Sequence, residues 1–202
     1  YDAKQIYYLQ YSNQNEKLDV SSDPDIRLYN EYFGGGMNAI VFQEMREARG
    51  LAYSASGRLL EPEYKDDSYK YFAFIATQND KMQTAIEAFD EIINDMPVSE
   101  TAFNIAKEAL TTKYRTERIT GRNILRSYQN ARDMGITEPR SKKIYEKLPE
   151  LTLEDVKNTQ EKWVKDRTYC YGILGDIKNL NTDYLKTLGT VEVLTLEDIF
   201  GY

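Results

Sequence analysis

Histidine is missing entirely from the 202-residue sequence. That absence removes a histidine general base and the usual imidazole zinc site, and with them several classes of hydrolase. Cysteine is nearly missing too: Cys170 is single, so no internal disulfide can form, and one thiol fixes no redox compartment. It lies in Tyr169-Cys170-Tyr171-Gly172-Ile173, a predicted strand, where without an activating base it is expected to be a buried structural thiol. No apolar run approaches the length that spans a bilayer, so no membrane insertion is expected. Positive charge is in short supply, 26 Lys and Arg against 33 Asp and Glu for a net charge of −7. That balance argues against a general nucleic-acid or anionic-membrane binder, which needs a positive field. There is no initiator methionine and no signal-like segment at Tyr1, so the chain is expected to be an excised portion of a longer protein.

What is present reads as an ordinary globular composition, 41% hydrophobic and 29% charged. No linker interrupts it, and one domain over residues 1–202 is expected. The most informative stretch is Asn30 to Tyr53. Met37, Ile40, Val41, Met45 and Ala48 recur at helical steps and predict a helix of about 12 residues with one buried stripe. Phe42, Arg46 and Arg49 share another face, so Arg46 points away from that stripe. Gly50 supplies a helix end, and Leu51-Ala52-Tyr53-Ser54-Ala55 predicts a strand leaving it directly. An arginine in the last helical turn and a tyrosine at the strand entrance can therefore converge. The Gly34-Gly35-Gly36 triplet could cradle a phosphate, but no Lys-Ser/Thr follows and no strand immediately precedes it.

Along the chain, Lys4 to Tyr11 predicts a strand, and Ser21-Ser22-Asp23-Pro24 opens a helix buried through Ile26, Tyr29 and Phe33. Residues 51–60 and 69–78 predict a hairpin. A helix from Lys81 buries Met82, Ala85, Ile86, Phe89 and Ile93, and one capped by Ser99 presents Phe103, Ala106, Leu110 and Tyr114. The pattern Ile124, Leu125, Tyr128, Ala131 continues past Gly121. Lys113, Arg115, Arg118, Arg122, Arg126 and Arg132 make a locally basic face, either solvated or used to dock an acidic neighbour. A helix over 138–148 precedes one with a capping box at Thr152-Leu153-Glu154-Asp155, and Trp163 falls on its core face. Thr168 to Leu174 and Thr190 to Leu196 predict strands around a short helix at Tyr184, Leu185 and Leu188. The order implies an α+β fold, a largely antiparallel sheet covered on one face by helices.

Asn30-Glu31-Tyr32-Phe33-Gly34-Gly35-Gly36-Met37, then Val41-Phe42-Gln43-Glu44, then Arg46-Glu47-Ala48-Arg49-Gly50-Leu51-Ala52-Tyr53-Ser54, resembles the pitrilysin/insulinase family of zinc metallopeptidases. The family pattern is roughly Gly-Gly-Gly-Met, then Leu-Phe-Gln-Glu-Leu-Arg-Glu-Lys-Arg-Gly-Leu-Ala-Tyr-Ser, and this chain departs from it by like-for-like changes such as Met45 for leucine. The closing residues 195–202 also resemble a C-terminus of bacterial members. The resemblance implies the metallohydrolase fold of LuxS and the mitochondrial processing peptidase. It also implies paired homologous halves, with zinc held by an inverted His-x-x-Glu-His motif in the N-terminal half. That motif is absent, so the chain resembles the C-terminal half, which closes over the active-site chamber. There the family carries an arginine and a tyrosine that hydrogen-bond the substrate backbone, and Arg46 and Tyr53 fall on those positions. Glu44 and Glu47 read as solvated or structural. The implied partners are a zinc-carrying N-terminal half, in the same protein or a separate subunit, and a peptide substrate. The implied location is the bacterial periplasm. Because the family also contains inactive subunits of processing and respiratory complexes, a purely structural or interaction domain is the alternative.

Overall fold

A computed structural model describes residues 4–202. Its described strands β1 (Gln5–Lys17), β2 (Ser54–Leu60), β3 (Ser68–Gln78) and β4 (Cys170–Leu174) form one antiparallel sheet in the order β2-β3-β1-β4. The period of two decides which face is covered. Ile6, Tyr8, Gln10, Ser12 and Gln14 of β1 point inward, and register partners such as Ile75 and Ala73 of β3 share that face. The opposite face is open, and on it the rings of Tyr7 and Phe74 stack with centroids 5.8 Å apart.

Helices pack on the inward face. Helix α1 (Asp23–Gly34) buries Ile26, Tyr29 and Phe33, and Pro24 sits in its first turn, where no amide bond is lost. After a single α turn, α2 (Ile40–Phe42), the backbone widens into a π-helix over Gln43–Ala48. The long helices α3 (Met82–Asn94), α4 (Glu100–Thr116) and α5 (Gly121–Asp133) follow, then α6 (Arg140–Lys147) and α7 (Leu153–Trp163). Ser99 caps α4 by accepting from the Ala102 N–H, and Thr152 with Asp155 forms a capping box on α7. Beyond β4 come α8 (Thr182–Leu188) and α9 (Leu196–Phe200). The layers lock through Trp163 against Tyr69, 4.9 Å between centroids, and through Gln160, which accepts from the Tyr29 hydroxyl and donates to the Ile93 carbonyl.

Helix α1 also closes one sheet edge. The Asn30 amide donates to the Leu59 carbonyl at 2.9 Å and accepts from the Leu59 N–H at 2.8 Å, the pair of bonds a further strand would make. The approach requires glycine: a Cβ on Gly34 would lie 2.1 Å from the Gly57 carbonyl oxygen.

Several expectations are corrected. The predicted 12-residue helix is one α turn plus a π segment, whose extra residue per turn breaks the 3.6 period. Met37 precedes it in a turn, and Met37 and Ala48 are exposed while Met45 stays buried. Cys170 is exposed, because it pairs with Tyr11 and so faces the open side of the sheet. Thr190–Leu196 forms no strand and lies exposed, since alternation alone does not carry a segment to a sheet edge. Strand β2 begins at Ser54, not Leu51.

Candidate substrate-contact site beside the π-helix

The π-helix ends where Gly50 adopts a left-handed φ of +58°, and the Leu51 and Ala52 N–H groups fold back onto the Met45 carbonyl at 2.8 and 3.2 Å. Two side chains pin the link that follows. Thr77 donates to the Leu51 carbonyl at 2.5 Å and Lys81 to the Gly50 carbonyl at 3.0 Å. The Tyr53 N–H then joins the Ala76 carbonyl at 2.9 Å, so the tyrosine backbone is fixed at the mouth of β2. Its side chain reaches out of the fold: Tyr53 is 74% exposed.

Arg46 leaves the same π-helix toward Tyr53. Its guanidinium carbon lies 5.6 Å from the Tyr53 ring centroid and 5.0 Å from that of Phe42, a cation held between two aromatic rings. Glu47 stands 3.7 Å from Arg46 Nε, a half-exposed pair of little energetic weight. Glu44 is turned elsewhere, 3.6 Å from Arg49, whose guanidinium also pairs with Glu91 at 2.7 Å. A shallow concavity of about 420 Å³, lined by Arg49, Leu51, Thr84, Glu87, Ala88 and Glu91, opens beside this link.

The arrangement puts a phenolic donor and a fixed cation on one exposed surface, a geometry suited to hydrogen-bonding carbonyl oxygens. The site does not fit a zinc ion. The sequence has no histidine, and among the described residues no group of three or more Cys, Asp or Glu side chains could hold a metal. Spacing alone placed Phe42 and Arg46 on one face, but nothing in it signalled Thr77 or Lys81, which come from β3 and the turn after it.

Helices on one side of a four-stranded antiparallel sheet, with an exposed arginine and tyrosine meeting at a helix end, are the features to set beside known proteins. The family model described as the peptidase M16 inactive domain matches residues 6–110, just over half of the sequence, and the chain belongs to that family. No curated protein matches the sequence. Among solved structures it is similar to a peptidase M16 inactive domain from Pseudomonas fluorescens, at 18% identity and a TM-score of 0.68, covering 87% of this chain and 41% of that one. The inactive peptidase domain of a protein from Bordetella parapertussis aligns at 12% identity and a TM-score of 0.65, over 86% of this chain and 93% of that one. The periplasmic protease PqqL from Escherichia coli aligns at 13% identity and a TM-score of 0.59, over 87% of this chain and 19% of that one. The chain thus spans 41% of the Pseudomonas protein's length. Among the described residues no helix is long and apolar enough to cross a membrane.

Proposed function

We propose that this chain is the substrate-binding, chamber-closing half of a zinc metalloendopeptidase, working with a separate zinc-carrying half in the bacterial periplasm. The observation that carries this reading is the Arg46–Tyr53 pair, brought together 5.6 Å apart by the π-helix and left open to solvent. Zinc belongs to the other half, where it supplies the activated water. Here the Tyr53 hydroxyl donates to the scissile carbonyl oxygen as that oxygen gains negative charge, and Arg46 holds the neighbouring backbone carbonyl. Neither group can deprotonate water, which is why the chain acts only in company. The open sheet face with Tyr7 and Phe74 is a wall against which an extended peptide can lie.

Tyr53→Phe deletes one hydroxyl from an exposed ring, so the melting curve should not move. In the assembled enzyme kcat should fall about 10²- to 10³-fold, the usual cost of one oxyanion donor. Arg46→Ala should also raise KM. Turnover of Tyr53→Phe within a few-fold of the parent would remove the site and leave the scaffold reading in its place.

A further inference from the structure

Helix α5 is amphipathic and stands exposed along its length. None of its residues is buried, and Ile124, Tyr128 and Leu125, the last 80% exposed, stand in solvent. Arg122 and Arg126 of the same helix stand beside this apolar row, and neither forms an ion pair with any described residue. Exposed apolar side chains beside unpaired arginines on one helix mark an interaction site rather than an ordinary solvated face.

The chain contains a second element of the same kind and the opposite charge. Residues 190–202 are exposed throughout and carry Val193, Leu194, Leu196 (72% exposed) and Phe200 beside Glu192 and Glu197, neither carboxylate paired with a described cation. Its helix α9 is nevertheless fully capped, with a Thr195–Asp198 capping box and Gly201 in the left-handed conformation closing the other end. A short helix finished at both ends yet exposed on every side is pre-organised for a surface outside its own fold.

We propose that the basic, apolar face of α5 docks the acidic, apolar segment 190–202 of a second copy of this chain, in an antiparallel two-fold dimer. The placement of the two elements favours a partner molecule over self-docking. Helix α5 is tied to the turn before β3 by the Lys65 N–H on the Asp133 carbonyl. Segment 190–202 leaves from α8, which Asn181 ties to Gln83 just after β3. The eleven residues of β3 lie between these anchors, about 36 Å at the usual strand rise. Two copies laid side by side in opposite directions bring each α5 to the other's closing segment. Both contacts form at once and the assembly closes at two. Arginine and leucine on one side against glutamate, leucine and phenylalanine on the other satisfy charge and apolar surface together.

The test is sedimentation equilibrium of the full chain between about 1 and about 100 μM, at low and at physiological salt. The wild type should shift from monomer toward dimer over that range, more weakly in salt. Arg122→Glu with Arg126→Glu should raise the dimer Kd about tenfold or more, and so should Glu192→Arg with Glu197→Arg. An equimolar mixture of the two variants should recover the wild-type Kd within a few-fold, because each opposed pair is restored in the mixed dimer. A monomer at every concentration overturns the proposal, as does a dimer indifferent to both reversals or a mixture that fails to recover. Flotation of the chain with anionic phosphatidylserine vesicles, lost in the α5 variant, would assign this face to a membrane surface and overturn it equally.

Discussion

Phe42 contributes no polar atom to the site, yet it decides where the Arg46 charge sits. With the guanidinium 5.0 Å above its ring, Phe42 restricts a side chain that otherwise has about 2 kcal/mol of rotamer freedom. A cation–π contact at an exposed position is worth about 0.5–1 kcal/mol. Phe42→Leu in the assembled peptidase should therefore raise KM about 2- to 5-fold with kcat nearly unchanged, and Phe42→Tyr should restore it. Equal KM for parent and Phe42→Leu would show that Arg46 needs no such support.

Asp90 is one residue through which pH acts on the fold. Burial, with the Glu87 charge adding to it, raises its carboxyl from 3.8 to about 6, against the opposing hydrogen bond from Gln10. The folded chain therefore keeps a proton that the unfolded chain releases, so this group's contribution to stability falls as pH rises from about 4 to about 6 and is flat above. Asp90→Asn should match the parent near pH 3 and exceed it above pH 6 by on the order of 1 kcal/mol, once solvent screening is allowed for. The measurement is the difference between the two melting curves across that range. It cancels the capping carboxylates Asp155 and Asp198, which hydrogen bonds from Thr152 and Thr195 hold low.

At the scale of elements, one buried ion cluster joins α1, α6 and the β2–β3 turn. Arg140 donates to both Asp23 oxygens at 2.6 and 2.5 Å and lies 3.0 Å from Glu61, which also takes Arg27 at 2.7 Å. Asp23 is 1% exposed, and Arg140 is the cation that meets it there. Arg140→Met should cost about 3–5 kcal/mol, read as a lower denaturant midpoint, because Asp23 stays buried without its cation while Glu61 keeps only Arg27.

Elements were legible wherever one local signal sufficed. The β2–β3 hairpin follows from alternation around a charged turn, and α3, α4 and α7 follow from helical spacing plus caps at Ser99 and Thr152. The π-helix was not legible, because Ile40, Val41, Met45 and Ala48 fit an α-helical stripe and Phe42, Arg46 and Arg49 fit a second face of the same helix. The wider winding accompanies bonds from Thr77 and Lys81, 26 and 31 residues away. Thr190–Leu196 has the composition of a strand, and composition supplies no partner edge. At the site, the Arg46–Tyr53 convergence could be anticipated from a helix end meeting a strand start, whereas the clamp around it depends on tertiary contacts.

For the whole molecule, the histidine-free composition and the scattered acidic side chains predict that the purified chain keeps no stoichiometric zinc after dialysis and cleaves no peptide. Retained zinc by atomic absorption, or chelator-sensitive cleavage, would contradict this. Adding the zinc-carrying half should restore cleavage to the pair.

The Asn30 amide that stands in for a strand beside Leu59 gives the sheet a valence of one. The side of β2 is saturated by a side chain and by the Gly34–Gly57 approach, which leaves no gap for another backbone. Among the described residues no strand occupies the outer side of β4. Any extended chain that joins this sheet, whether a partner segment or a misfolded copy, must add there, beside the exposed Cys170. A thiol-reactive fluorophore at Cys170 would therefore report every such event, while a label near Asn30 would stay silent.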